Sequence, residues 1–190
     1  SGTFNVPANA STAWVLYTGG GGGGGKITST DYFDVSGGTA GFGLKLIDLT
    51  PSAAETITIG AAGNGTTHAS SGNGTAGGDT IAFGLTATGG GAGGVSGAGA
   101  DGTASSTFSA TDLASVYSII NAPDDNKALI LRLTSQGGNS SSTGVAYSQA
   151  GGFYGGRGGA GGWKRLNNDG QIISDTTAKG GVGGFVAIWY

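Results

Sequence analysis

Apolar positions in this chain fall in short runs that alternate with polar or glycine-filled stretches. Residues 12–18 place Trp14 and Leu16 on one face and Val15 and Tyr17 on the other. Apolar character on both faces predicts a strand buried on both sides. Residues 42–49 predict a second strand, with Phe42, Leu44 and Leu46 alternating against Lys45 and Ile47. After the turn at Thr50, Pro51 and Ser52, residues 55–59 alternate cleanly, Ile57 and Ile59 inward and Thr56 and Thr58 outward. These two runs predict a hairpin. Further strands are expected at 79–86, with Ile81, Phe83 and Leu85 on one face, and at 128–134, with Leu129, Leu131 and Leu133 on one face. Residues 185–190 are apolar on both faces, which predicts a buried central strand paired with 14–17. A short extended segment at Thr3 to Pro7 opens the chain. One helical pattern stands out: Leu113, Val116, Tyr117 and Ile120 at i, i+3, i+4 and i+7, with Ser109 or Thr111 as a cap and Pro123 beyond the end.

Glycine changes this picture most. Of 190 residues, 44 are glycine, about threefold the usual ~7%. Seven of them are consecutive, 19–25, and begin where the first strand stops. Such a run ordinarily reads as a flexible linker, because glycine loses the most backbone entropy on ordering. The later runs argue otherwise. Gly90 and Gly93 share a phase of three that Gly99 and Gly102 continue, and residues 155–163 keep the same period. An extended helix of the polyproline II type has three residues per turn, so this period gathers the glycines onto edges without side chains. Neighbouring helices can then approach to backbone contact and satisfy each other's N–H and C=O groups. Residues 60–78 look like a loop by composition, but their length counts against one inside a compact domain. The expected fold is therefore all-β over a single domain, 1–190: sandwich-like strands, packed glycine-rich polyproline II-type helices, and one short α-helix.

Charge and chemistry mainly exclude. Net charge is −3 and the eight basic residues are scattered, which argues against nucleic acid, whose phosphates demand clustered Lys and Arg. No run approaches the length of a membrane-spanning helix. With no cysteine, neither disulfides nor thiolate metal sites are available. The absence of methionine suggests a processed form or a fragment. His68 has no acidic partner nearby and reads as an ordinary surface histidine. No Gly-x-Ser-x-Gly elbow frames a nucleophile. Matches to Gly-x-Gly-x-x-Gly are expected by chance in so glycine-rich a chain, and no phosphate loop is completed, since Ile27 follows Gly25 and Lys26. No catalytic residue, metal ligand or cofactor is expected, and the chain is read as a non-enzyme.

What remains is a surface pattern. Aromatic and polar residues gather beside the glycine runs: Asp31, Tyr32 and Phe33; Tyr147; and Trp163, Lys164, Arg165, Asn167, Asn168 and Asp169. Such combinations form good contact surfaces at low entropy cost. The competing reading makes Phe153, Tyr154 and Trp163 structural lids over glycine edges. The segments 26–36 and 164–179 are the expected binding loops.

The order of these features resembles a known family. Thr3-Phe4-Asn5-Val6-Pro7, then Trp14-Val15-Leu16-Tyr17-Thr18 into the seven glycines, then Leu49-Thr50-Pro51, Glu55 to Gly65, and Gly77 to Gly84 are similar to the glycine-rich domain at the distal end of many bacteriophage tail fibres. The closing Gly183 to Tyr190 resembles that family's last strand. The resemblance implies an extracellular virion protein, related in principle to the tip adhesins of T-even-like phages, that binds a host cell-surface receptor, glycan or outer-membrane protein. It also implies other virion proteins as partners, and a homotrimer if the chain is part of a fibre. Alternatives are a structural virion protein such as a capsid decoration, or an ice-binding protein, for which regular threonine ranks are expected and only Thr56 with Thr58 and Thr86 with Thr88 are so spaced.

Overall fold

The computed structural model describes residues 1–29, 35–69, 71–105, 156, 158–159, 161–167 and 169–190. It is all-β, with no helix among the described residues. Ten strands are formed: β1 (Gly2–Asn5), β2 (Thr12–Thr18), β3 (Lys26–Ser29), β4 (Phe42–Asp48), β5 (Ala54–Ile57), β6 (Thr80–Ala82), β7 (Leu85–Ala87), β8 (Gly162–Leu166), β9 (Ile172–Asp175) and β10 (Phe185–Trp189). The expected helix around Leu113 to Ile120 and the strand at 128–134 lie outside the described residues.

The strand β2 is central, as its two apolar faces require. It pairs antiparallel with β4 on one side and β10 on the other. Ala13, Val15 and Tyr17 pack with Val6, Leu49, Leu85 and Ala87 in one core, while Trp14 and Leu16 pack with Leu44 on the opposite face. Val15, Leu16 and Tyr17 are fully buried, and each such side chain contributes about 1.5–3 kcal/mol. Facing the first core, β1 pairs with β5 and β6 with β7, and the reciprocal bonds between Thr58 and Ile81 join the two pairs.

Three strand expectations are corrected here. β4 and β5 do not form a hairpin: β4 pairs with β2 and β5 with β1, because the turn at 50–53 carries the chain from one sheet to the other. Residues 79–86 are two strands, since Phe83 (φ 51°) and Gly84 (φ 72°) make a tight turn between β6 and β7 of the kind that needs left-handed conformations. Ile81 consequently faces outward, 45% exposed, and Ala82 faces in. The ring of Phe83 meets Phe4 edge-on at 5.8 Å, an arrangement that offsets part of the strain of a bulky residue at positive φ. Finally, β10 is an edge strand of its sheet and half-buried, and Tyr190 is 65% exposed. Its pairing with 14–17 is as expected and extends to Thr18; its central place is not.

Beyond Thr18 the chain continues straight into the seven glycines and then β3. All residues from Gly19 to Lys26 are buried. Their hydrogen bonds repeat every third residue. Gly19, Gly22 and Gly25 donate N–H groups to Gly41, Gly38 and Val35; Gly20, Gly23 and Lys26 donate to Gly78, Thr75 and Gly72; Gly21 and Gly24 donate to Val182 and Lys179. In return, the carbonyls of Gly20 and Gly23 accept from Gly90 and Gly93, those of Gly21 and Gly24 from Gly63 and Thr66, and those of Gly22 and Gly25 from Gly159 and Gly162. The central run thus has six neighbours, three antiparallel to which it donates and three parallel from which it accepts. Each neighbour is thus met at every third residue of the run.

The six neighbours also bond to one another in a closed ring. Segment 35–41 bonds to 88–94, that to 72–78, that to 60–66, that to 179–184, that to the stretch of Gly156, Gly159 and Gly162, and that back to 35–41. An eighth segment, 99–103, lies outside the ring in the groove between 35–41 and 88–94. The single run expected over 89–102 is therefore two antiparallel segments, split at the turn where Gly94 and Gly97 bond to each other. Glycine is required here for space rather than for φ. A Cβ on Gly20, Gly22 or Gly23 would fall on the backbone carbonyls of Ala61, Gly91 and Asn64, and none of these glycines has a positive φ.

Candidate functional site

The bundle has two different ends. At one, β2, β4, β5, β6, β7 and β10 join its segments to the sandwich, which also holds β1. The seven glycines of the central run separate β2 in that sandwich from β3. At the far end lie β3, β8 and β9, with β3 parallel to β8 and β9 antiparallel to it. The connection from 60–66 to 72–78 and the turn at 94–97 also fall there, beside Gly24, Lys26 and Gly23.

Lys26 closes the central run. Its side chain is 5% exposed, and its Nζ lies 2.5 Å from an Oδ1 of Asp175, which is 44% exposed. The expectation of an exposed loop over 26–36 is corrected at its start: Lys26–Ser29 is strand β3, and Lys26 is held inside. The ion pair ties the end of the bundle to β9, so the outer hairpin cannot shift independently of the central run.

The β8–β9 hairpin is locked by Asn167. Its Oδ1 accepts from the N–H groups of Asp169 (3.1 Å) and Gln171 (2.8 Å), and its Nδ2 donates to Gln171 Oε1 (2.9 Å). Gly170 takes the left-handed conformation (φ 78°) that closes the turn. An Asn that bonds its own backbone neighbours in this way fixes a turn without outside support. The hairpin presents Asp169 and Gln171 to solvent together with Ile172, 56% exposed. Across the same end, Asn73 Oδ1 accepts from Val95 N–H at 3.0 Å and so fixes a second turn, on which Val95 is 42% exposed. His68 is exposed, with its N–H on Thr66 Oγ1.

Of the predicted contact residues, the structure brings five to this end. Trp163, Lys164 and Arg165 lie in β8, opposite Ile27, Thr28 and Ser29 of β3; Asn167 holds the turn, and Asp169 is exposed on it. The 164–179 segment is thus part strand, at 164–166 and 172–175, and part loop. Asp31, Tyr32, Phe33, Tyr147 and Asn168, and the candidate lids Phe153 and Tyr154, lie outside the described residues. Sequence reasoning passed over the connections holding His68 and Val95. The available signal was the break in the glycine period at 67–71 and 95–98, since the period can stop only where a bundled segment ends. Among the described residues, no group of three or more His, Asp or Glu side chains is arranged to hold a metal ion.

The family model described as glycine-rich domain matches residues 1–188. The chain belongs to this glycine-rich domain family. No curated protein matches it. The matched region covers β1 to β9, all of β10 but Trp189, and every segment of the bundle.

Proposed function

We propose that this glycine-rich domain is a non-enzymatic attachment module, carried on the exterior of a bacteriophage virion at the tip of a tail fibre, that binds a host cell-surface receptor, either a glycan or an outer-membrane protein. The observation that carries the proposal is the separation of the two ends. A buried run with six locked neighbours holds the hairpin of Asn167 to Asp175 and the turns of His68 and Val95 together at one end, away from the sandwich. A rigid scaffold that positions several loops at one end is how binding surfaces are commonly built. The likeness of the strand and glycine order to tail-fibre tips supplies the virion setting, with other virion proteins as partners and a trimer as the form within a fibre.

The test is direct. Purified protein is expected to bind susceptible host cells and to compete with infection, and replacement of the exposed Asp169 and Ile172 together is expected to abolish both without lowering the melting temperature. A folded protein that binds no susceptible strain would refute the proposal.

A further inference from the structure

The segment 99–103 shows what this bundle does with an open groove on its outside. It runs parallel to 35–41, donating the N–H groups of Gly99 and Gly102 to Ser36 and Thr39, and accepts from Gly91 and Thr88 at Ala100 and Thr103. Where it lies, the ring must present glycine: a Cβ on Gly38 or Gly41 would strike the carbonyl oxygens of Ala100 and Thr103.

The groove between 60–66 and 179–184 has the same pattern of free backbone groups. Among the described residues, no hydrogen bond engages the N–H groups of Ala62 or Gly65, or the carbonyls of Gly181 and Gly184. Elsewhere the protein uses its own side chains on outward amides: Thr75 Oγ1 takes Asn64 N–H, Asp79 takes Gly89 N–H and Asp101 takes Thr39 N–H. Among the described residues, this groove has no such cap. One of its glycines, Gly183, is also unexplained by its neighbours. A Cβ on Gly183 would meet nothing nearer than Gly60 O at 3.6 Å, whereas one on Gly20, Gly22 or Gly23 in the central run collides with backbone.

We propose that this groove is a docking site for an extended glycine-rich segment of another polypeptide, with glycine at every third residue, lying parallel to 179–184 and antiparallel to 60–66. Its N–H groups bond to Gly181 and Gly184, its carbonyls accept from Ala62 and Gly65, and Gly180 and Gly183 leave room for its backbone. Among the described residues a second copy offers no spare glycine segment, because each is already engaged in its own bundle. The interaction is separate from receptor binding and lies on the side of the bundle rather than at its end.

The probe is a synthetic peptide with the sequence of residues 97–105, added to the full-length protein while amide exchange is followed by NMR. The peptide is expected to slow exchange at Ala62 and Gly65 at least ~10-fold and to leave Asn73 and Ala76 unchanged. The variant G183A, whose Cβ has room in the free protein, keeps the melting temperature and loses this protection. A peptide with valine in place of both Gly99 and Gly102 gives none, a control independent of any variant's folding. No protection up to the peptide's solubility limit, equal protection in G183A, or equal protection by the valine peptide overturns the proposal. Protection that grows with protein concentration in the absence of peptide overturns it in favour of a second copy.

Discussion

Substituting Gly22 by alanine tests whether the central run needs glycine for space. The added Cβ falls on the carbonyl of Gly91 and lies 2.9 Å from that of Gly90. Both are backbone atoms, so no side-chain rotation relieves the clash, and segment 88–94 must move outward. That segment holds bonds to Gly20 and Gly23 of the central run and to Gly38 and Gly41 beside it. Breaking two of these inside a buried bundle costs about 1–3 kcal/mol each, while alanine stabilises by about 0.4–1 kcal/mol through the unfolded chain. The expected net loss is about 2–5 kcal/mol, a large part of a typical 5–15 kcal/mol total. At roughly 2–4 °C per kcal/mol for a chain of this size, the melting temperature falls by about 5–20 °C. The comparison is Gly94→Ala, where the nearest atom to the new Cβ is Asn73 Oδ1 at 3.5 Å and φ is not positive; this change is expected to be neutral or slightly stabilising. Urea and thermal denaturation of the two variants, followed by tryptophan fluorescence, give both numbers. If Gly22→Ala lies within about 1 kcal/mol of Gly94→Ala, the run is not packed as described.

Asp175→Asn leaves the buried Lys26 without its carboxylate and is expected to lower stability by about 1–3 kcal/mol, the half-exposure of Asp175 keeping it below the cost of breaking a fully buried pair; Lys26→Met in the Asp175→Asn background should recover part of the loss in urea denaturation. Gly84→Ala is expected to cost about 1 kcal/mol although nothing crowds the site, because φ there is 72° and alanine resists that conformation. Asp101→Ala removes the acceptor for both Thr39 N–H and Thr39 Oγ1; hydrogen exchange at Thr39 should accelerate while the global melting temperature falls by only a few degrees. Asn167→Ala should raise exchange at Asp169 and Gln171 and weaken cell binding without unfolding the sandwich.

The parts of the fold legible in sequence were those governed by local periodicity. The two apolar faces of 14–17 required a central strand, and the period of three among the glycines required backbone neighbours on several sides. Partner choice was not legible. Residues 42–48 and 54–57 are adjacent in the chain and read as a hairpin, yet Ser52 at φ 63° turns the chain between sheets, and serine gives no strong signal for that conformation. Phe83 hid a turn for the same reason, since the usual asparagine or glycine is absent from the first position. Lys26 looked like a solvated charge because its partner, Asp175, is 149 residues away. Of the candidate contacts, 163–169 was found from composition, whereas the His68 and Val95 turns carry ordinary polar residues that only the topology brings to the same end.

The ring around the central glycines also fixes an order in time. The run is made early, as residues 19–25, but every neighbour that satisfies it lies later in the chain, ending with Lys179 and Val182, which accept from Gly24 and Gly21. Pairings so distant in sequence are slow to form, because loop closure must precede the bonds that stabilise it. During synthesis the seven glycines must therefore wait, hydrated and unpaired, until nearly the whole chain has emerged. The ring then closes around them in a late, cooperative step.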